Sequence, residues 1–313
     1  MTGTFYDVII IGSGPAGLTS ALYTSRANMS TLILDRGIPG GQLQNTEEIE
    51  NFPGFAHISG PDLAQKMHEH SLQFGAEYKY GEVKSIKQTT FNNIPSFEVE
   101  TSTQTYTTKS VIVATGTQYK KLGVPGEEEF TGRGVSWCAV CDGAFYKDKH
   151  VMVVGGGDSA VEEAVYLTKF ASKVTVIHRR DTFRAQPILV DRMLKNEKIE
   201  VIYNSTIEEI IGKNGTVVGV NIKNVKNEQL SEIILCDGVF EYVGMNPVSS
   251  FVSNLGVTTE DGWIITDNFM KTSIPGLFAA GDIRNNTIRQ VVTATGDGCA
   301  AAIGAQHYVE SLK

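Results

Sequence analysis

A strand, a glycine turn and a helix recur twice in this chain at the same spacing, and that repeat limits what the chain can fold into. Asp7-Val8-Ile9-Ile10-Ile11 reads as a short buried strand, Gly12-Ser13-Gly14-Pro15-Ala16-Gly17 as the turn, and a helix runs on to about Asn28 before a second strand, Thr31–Asp35. In such a βαβ unit the first glycine permits the tight turn, the second lets the backbone approach a pyrophosphate, and the third lets helix and strand pack. The helix N-terminus then faces the phosphate charge. Val151–Val154 begins the pattern again, with Gly155-Gly156-Gly157-Asp158-Ser159-Ala160 as turn, a helix from Val161 to Phe170 and a strand over Val174–Ile177. From the first turn glycine to the residue that closes each copy, Asp35 or His178, is 23 positions in both, 12 to 35 and 155 to 178.

The copies differ where they end. The first closes on Asp35, a carboxylate suited to ribose hydroxyls and repulsive to a 2′-phosphate. The second closes on His178-Arg179-Arg180 with Arg184 just beyond, which reverses that preference. Two different nucleotides are expected, the second of them NADPH; the competing reading of the arginines is a basic surface loop.

Between the copies lies Trp137-Cys138-Ala139-Val140-Cys141-Asp142-Gly143. A CxxC pair closes and reopens a small disulfide, which thiol–disulfide exchange requires, and it is equally half of a zinc site. The remaining cysteines, Cys236 and Cys299, form no second CxxC, and the six histidines show no ligand spacing with them, so no metal is expected. Both are read as small core residues. Asp142, beside Cys141, is a candidate proton shuttle if partly buried, and equally a turn-former before Gly143; both roles are compatible.

Length and composition frame this reading. A chain of 313 residues allows about two domains, and 41% hydrophobic with 20% charged residues is ordinary for a globular protein. A net charge of −8 argues against nucleic acid as a partner. No apolar run reaches the roughly 20 residues of a bilayer span, and the N-terminus lacks a basic signal-peptide region. A cytoplasmic location is expected, and the few cysteines suit a reducing compartment. Elsewhere, Ser59 to Phe74 reads as an amphipathic helix stopped at Gly75, with His68 and His70 on its surface. Residues 79–112 read as an antiparallel meander, Val111–Gly116 as a buried strand ending on small residues, and Arg289-Gln290 as the start of a C-terminal helix.

The motifs GSGPAG, GGQL, ENFPG, ATG, CAVCDG, GGGDSA, HRRDTFRAQ, FAAGD and RQVVTATGDG stand in one order along the chain. In that order the chain resembles the low-molecular-weight bacterial thioredoxin reductases over nearly its whole length. The resemblance implies an α/β fold of two Rossmann-like, three-layer dinucleotide-binding domains. An FAD domain would be built from residues 1–117 and 247–313, with an NADPH domain, 118–246, inserted and carrying the dithiol. For FAD it implies Gly12, Ser13, Gly14, Pro15, Ala16, Gly17, Asp35, Gly41, Gln42, Asn51, Asp282, Arg289 and Gln290, with Val83 holding the adenine through its backbone. For NADPH it implies Gly155, Gly157, Asp158, Ser159, Ala160, His178, Arg179, Arg180 and Arg184. Cys141 would be the flavin-facing sulfur, Cys138 the one that attacks the partner disulfide, and Asp142 the acid/base. Thioredoxin is the implied substrate and a homodimer the implied assembly. Two departures stand out: Asp35 where many members have glutamate, and Trp137 where tyrosine is usual.

The dithiol and the NADPH site must both reach the flavin, and Cys138 must also reach a protein partner, so a hinge is expected at the two crossings, near Thr117–Lys121 and Gly244–Val248. Within the same fold, a ferredoxin or flavodoxin reductase would lack the dithiol. A peroxiredoxin reductase would carry an extra N-terminal dithiol domain, whereas this chain begins at its first strand. The reading from another class is a redox sensor that regulates a partner without turnover, which NADPH consumption with a disulfide substrate would discriminate.

Overall fold

The computed structural model describes residues 5–46, 49–227, 230–285 and 288–312, with only the backbone of Cys141. The chain divides into two compact units, one from residues before 119 and after 245, the other from Tyr119–Met245.

The first unit opens with β1 (Phe5–Ile11), α1 (Pro15–Arg26) and β2 (Thr31–Asp35), as the repeat requires. It continues through α2 (Gly60–Leu72), β3 (Glu77–Tyr80), β4 (Val83–Phe91), β5 (Ile94–Thr101) and β6 (Thr105–Val113). The sheet order is β3-β2-β1-β6-β5-β4, parallel up to β6 and antiparallel beyond it. The meander therefore covers β4, β5 and β6, whereas β3 pairs parallel with β2. Side chains of β1 alternate between two cores. Ile9 and Ile11 join Leu32, Leu34, Phe97 and Val99 on one face. Val8 and Ile10 join Leu18, Ala21 and Ile33 on the other. A strand buried on both faces reads as a continuous apolar run, and DVIII does so.

The second unit is built on the same plan. After the crossing strand β7 (Thr117–Tyr119) come β8 (Val135–Ser136), α3 (Ala139–Asp142), β9 (His150–Gly155), α4 (Asp158–Leu167), β10 (Lys173–His178) and α5 (Pro187–Leu194). Then follow β11 (Ile199–Tyr203), β12 (Ser205–Lys213), β13 (Thr216–Asn224), β14 (Ser231–Leu235) and β15 (Gly238–Tyr242). A parallel sheet of order β11-β10-β9-β15-β8 has α4 on one face and the antiparallel sheet β12-β13-β14 on the other. The chain returns through β16 (Met245–Pro247), which pairs with β7, and then β17 (Leu277–Ala279) lies parallel against the end of β6. The C-terminal helix α6 (Val291–Ser311) closes the first unit against α1.

Some expectations need correction. Ser59 does cap α2, accepting from the Asp62 amide at 3.1 Å. His70 is exposed on that helix, but His68 is half-buried edge-on to Tyr78, with ring centroids 5.2 Å apart. Cys236 is buried as expected, though between β14 and β15 rather than in a strand. Cys299 is only half-buried on α6, where its thiol faces Tyr23. A residue's spacing on a helix says which face it takes; what covers that face is decided by distant segments.

Candidate active site

Each glycine turn is shaped by what the missing side chains would strike. At Gly12, whose φ is +102°, a Cβ would lie 2.3 Å from the Ala114 carbonyl oxygen, and at Gly17 1.9 Å from that of Gly12. At Gly14 it would meet nothing within 4 Å, so the absent side chain faces open ground. The second turn matches position for position: a Cβ on Gly155 would lie 2.5 Å from the Tyr242 carbonyl oxygen, Ala160 is fully buried, and Gly157 faces open ground. Helices α1 and α4 both start without a side-chain cap, leaving first-turn amides free to meet an anion. Pro15 occupies the first turn of α1, where no amide hydrogen is needed; Ala16 is buried there, and Ser159 is exposed at the start of α4.

The strand-end residues contact the turns differently. Asp35 Oδ2 accepts from the Ser13 amide at 2.6 Å and the Ser13 hydroxyl at 2.7 Å, while Oδ1 accepts from the Gly37 amide at 2.8 Å. His178, at the matching position, is buried, stacks on Phe183 at 5.1 Å, and pairs Nε2 with the Thr182 carbonyl at 2.9 Å. Burial, with three arginines near, holds its imidazole pKa down and so favours the neutral ring. A Cβ on Gly156 would meet that ring at 2.2 Å. His178 thus lies beneath the turn, whereas Arg179, Arg180 and Arg184 are exposed and form no ion pair among the described residues. Asp158 is engaged too: its two oxygens accept from the amide and side chain of Gln186, at 2.8 and 3.0 Å. That, with the Arg184 amide on the Gly156 carbonyl at 2.8 Å, ties the arginine loop to the second turn.

Around the first turn, Gly40 donates its amide to the Ser13 carbonyl at 2.8 Å, setting the short 3-10 helix Gly41–Asn45 against it. Gln42 then reaches the Thr117 carbonyl at 3.1 Å. Asn51 donates to the Gln290 side chain at 3.1 Å across 239 positions of chain, and Gln290 also caps α6. Arg289 lies over the Trp263 ring at 4.3 Å. Burial pushes the Asp282 carboxyl up to about 6; Arg289 opposes the shift and Asp297 adds to it. Val83 is buried at a β-bulge. The structure therefore gathers Gly12–Gly17, Asp35, Gly41 and Gln42 at one turn, and Asn51 with Gln290 at the start of α6.

At the dithiol, Cys138 is held in a disulfide, and Cys236 and Cys299 are free thiols. Cys141 belongs to α3, but its side chain lies outside the described residues. The Ser136 hydroxyl accepts from the Cys138 amide at 3.0 Å and donates to its carbonyl at 3.3 Å. The Tyr242 hydroxyl accepts from the Ala139 amide at 3.0 Å. Asp142 is half-buried; its charge adds to burial in pushing the Tyr146 phenol up to about 12. Burial likewise pushes the Cys236 thiol up to about 12, so it is unreactive. Sequence reasoning missed Ser136, Tyr242, Trp263 and the Arg284–Asp297 pair at 2.7 Å. Only Asp297 left a signal, a charged residue between two glycines in a helical stretch. Among the described residues no cluster of three or more metal-ligating side chains occurs, and no helix is long and apolar enough to cross a membrane.

Two dinucleotide turns of this geometry with a dithiol between them in the chain define a class, and residues 6–298 match the family model for pyridine nucleotide-disulphide oxidoreductases. The chain belongs to that family. Within it, the chain is 56% identical over 308 residues to the thioredoxin reductase of Bacillus subtilis, covering 98% of this chain and 96% of that one. It is 45% identical over 311 residues to that of Treponema pallidum, covering 99% of each. Its fold is that of solved thioredoxin reductases. The Lactococcus lactis structure in its FR conformation superposes with a TM-score of 0.94 at 51% identity, covering 98% of this chain and 99% of that one. The T. acidophilum structure does so with 0.92 at 37%, covering 99% of each.

Proposed function

We propose that this chain is an NADPH-dependent thioredoxin-disulfide reductase that holds FAD in the first unit and NADPH in the second, with Cys138 and Cys141 as its redox pair. The observation that carries the reading is the disulfide at Cys138, set in a chain with two nucleotide turns of opposite charge preference. FAD, when bound, supplies a two-electron relay between nicotinamide and dithiol.

Gly12, Gly14 and Gly17 admit the FAD pyrophosphate to the uncapped start of α1, and Ser13, Pro15 and Ala16 complete that turn. Asp35 has one oxygen on Ser13 and the other on the Gly37 amide, so it fixes the turn, and its remaining lone pairs face the ribose. Gly41, Gln42, Asn51, Val83, Asp282, Arg289 and Gln290 surround the remainder of FAD. In the second unit Gly155, Gly157, Ser159 and Ala160 admit the NADPH pyrophosphate, and Arg179, Arg180 and Arg184 take the 2′-phosphate. His178 and Asp158 serve that site from behind, one under the turn and one on the arginine loop.

In the reduced pair, the Cys138 thiolate attacks one sulfur of the partner disulfide and releases the other as a thiol. Cys141 then attacks the Cys138 sulfur of the mixed disulfide and releases the partner's second sulfur as a thiol, so the pair gives up two electrons and two protons and re-forms its own bond. Asp142 moves the proton at Cys141. Thioredoxin is the substrate, a homodimer the assembly, and the cytoplasm, where such a dithiol is kept in turnover, the location. Purified protein is expected to be yellow and to oxidise NADPH steadily only when a thioredoxin is supplied. NADPH consumption indifferent to thioredoxin would overturn the assignment.

A further inference from the structure

Two carboxyl groups are buried in the second unit, and neither belongs to the nucleotide turns or the dithiol. Glu127 is 1% exposed and Glu241 is 0% exposed. Glu127 accepts from the backbone amides of Leu122, at 3.0 Å, and Gly123, at 2.5 Å, one to each oxygen. Glu241 is placed by the sheet. Strand β15 pairs in parallel with β8 through Val239 with Val135 and Phe240 with Ser136, so the next register position sets Glu241 beside Trp137. On its other side, Glu241 pairs with Val154 of β9.

Neither Glu241 oxygen accepts from a donor at hydrogen-bond distance, and the buried Trp137 indole nitrogen finds no acceptor there either. The polar groups acting on Glu241 are the Glu127 carboxyl, the Leu122 amide and the Trp137 indole. The apolar core beneath the antiparallel sheet, which includes Val135, Val154, Ile207 and Val220, lies on the Val239 face of β15. The charged groups in reach are Glu127 and, at the surface, Lys121, which is itself bridged to Glu128 at 3.0 Å. An isolated carboxylate is not stable in such surroundings, and two adjacent carboxylates are less so.

We propose that Glu241 and Glu127 hold one proton between them, and that this neutral–anionic pair seats Trp137 and so positions the strand that delivers Cys138. Glu127, fixed by two amide donors, is the acceptor. Glu241 carries the hydrogen and stands beside Trp137 in the strand register. Burial, then the Glu127 charge, raises the Glu241 carboxyl to about 8 from an ordinary 4.5. Its folded-state value lies above its unfolded one, so the folded protein binds more protons between those values. Stability is therefore full below the lower value and is lost as pH rises through the upper.

The test compares the purified holoenzyme with its Glu241→Gln variant, which keeps the shape and a donor but cannot titrate. As pH rises from about 6 to about 9, the thermal midpoint of the wild type should fall relative to the variant by roughly 2–5 °C per unit until the carboxyl is ionised. Parallel curves would overturn the shared proton. If Glu241→Gln does not fold, Glu127→Gln serves: without the anionic neighbour the inflection should move to lower pH, and an unmoved inflection would overturn it equally. The positioning role is read separately, as alkylation of Cys138 after chemical reduction. Its rate should change by about threefold or more in Glu241→Leu and return to within about twofold of wild type in Glu241→Gln. Equal rates in Leu and wild type would reduce the pair to a structural feature. Neither readout uses thioredoxin turnover, so failure here is distinguishable from failure of the functional reading, on which only the dithiol's role rests.

Discussion

Ser13 and Gly156 hold the same position in the two turns and differ because of what stands opposite. An aspartate needs a donor above it, and Ser13 supplies two; a histidine ring needs space, and only glycine leaves it. Gly156→Ala should therefore destabilise the second unit by about 1–3 kcal/mol, since its Cβ would fall inside the His178 ring. A denaturant titration showing less than a few tenths would mean that the ring moves aside freely. The exposed arginines make a kinetic prediction. Charge-assisted bonds contribute roughly 1.5–3 kcal/mol each, so Arg179→Ala with Arg180→Ala should raise the KM for NADPH by about tenfold or more and leave that for NADH nearly unchanged. Equal losses for both coenzymes would assign these side chains to structure. At the dithiol, Cys138→Ser or Cys141→Ser should abolish disulfide reduction while NADPH still bleaches the flavin, and a mutant retaining most of its turnover would remove the pair from the pathway.

Helix α6 shows how an element with little amphipathic character is placed. Its sequence is rich in glycine and alanine, and Gly298 lies where a Cβ would come 2.3 Å from the Ala16 carbonyl oxygen of α1. The Ser20 hydroxyl of α1 donates to the Gly298 carbonyl at 3.0 Å, so the two helices are in backbone contact. The start of α6 is tied to the Gly281–Ile283 turn by Asp297, whose Oδ2 accepts from the Gly281 amide at 3.1 Å and from Arg284 at 2.7 Å. Both side chains of that pair are 13% exposed. Arg284→Ala leaves Asp297 largely buried and uncompensated, and a loss of about 3 kcal/mol is expected in chemical denaturation. A change under about 1 kcal/mol would show that water replaces the guanidinium.

At the scale of the molecule, each unit is stabilised by cores of its own. In the second, one core joins Val151, Val153, Val174 and Phe240 to α4, and another joins Met152, Val239, Ile207 and Val220 beneath the antiparallel sheet. A segment that buries its own apolar surface in this way folds by itself. Residues 119–245 expressed alone should unfold cooperatively and retain binding of NADPH, checked by calorimetry with and without ligand. An uncooperative melt would show that the segment depends on the rest of the chain.

The strands, the glycine turns and the dithiol were legible because each depends on neighbours a few positions away. A βαβ turn is set by local backbone geometry, and β-branched runs such as DVIII and VMVV declare strands buried on both faces. The opposite charge at Asp35 and at Arg179 and Arg180 was likewise plain from register alone. What the sequence did not determine was which of those side chains face outward. His178 went under the turn and Asp158 to Gln186, because the 179–186 loop folds back on the glycine turn and claims them both. Glu241 beside Trp137, 104 residues apart, needed β15 and β8 to pair. Asn51 on Gln290 needed both ends of the first unit to meet. Such contacts join residues with no pattern between them, and only the closing of the sheets brings them within reach.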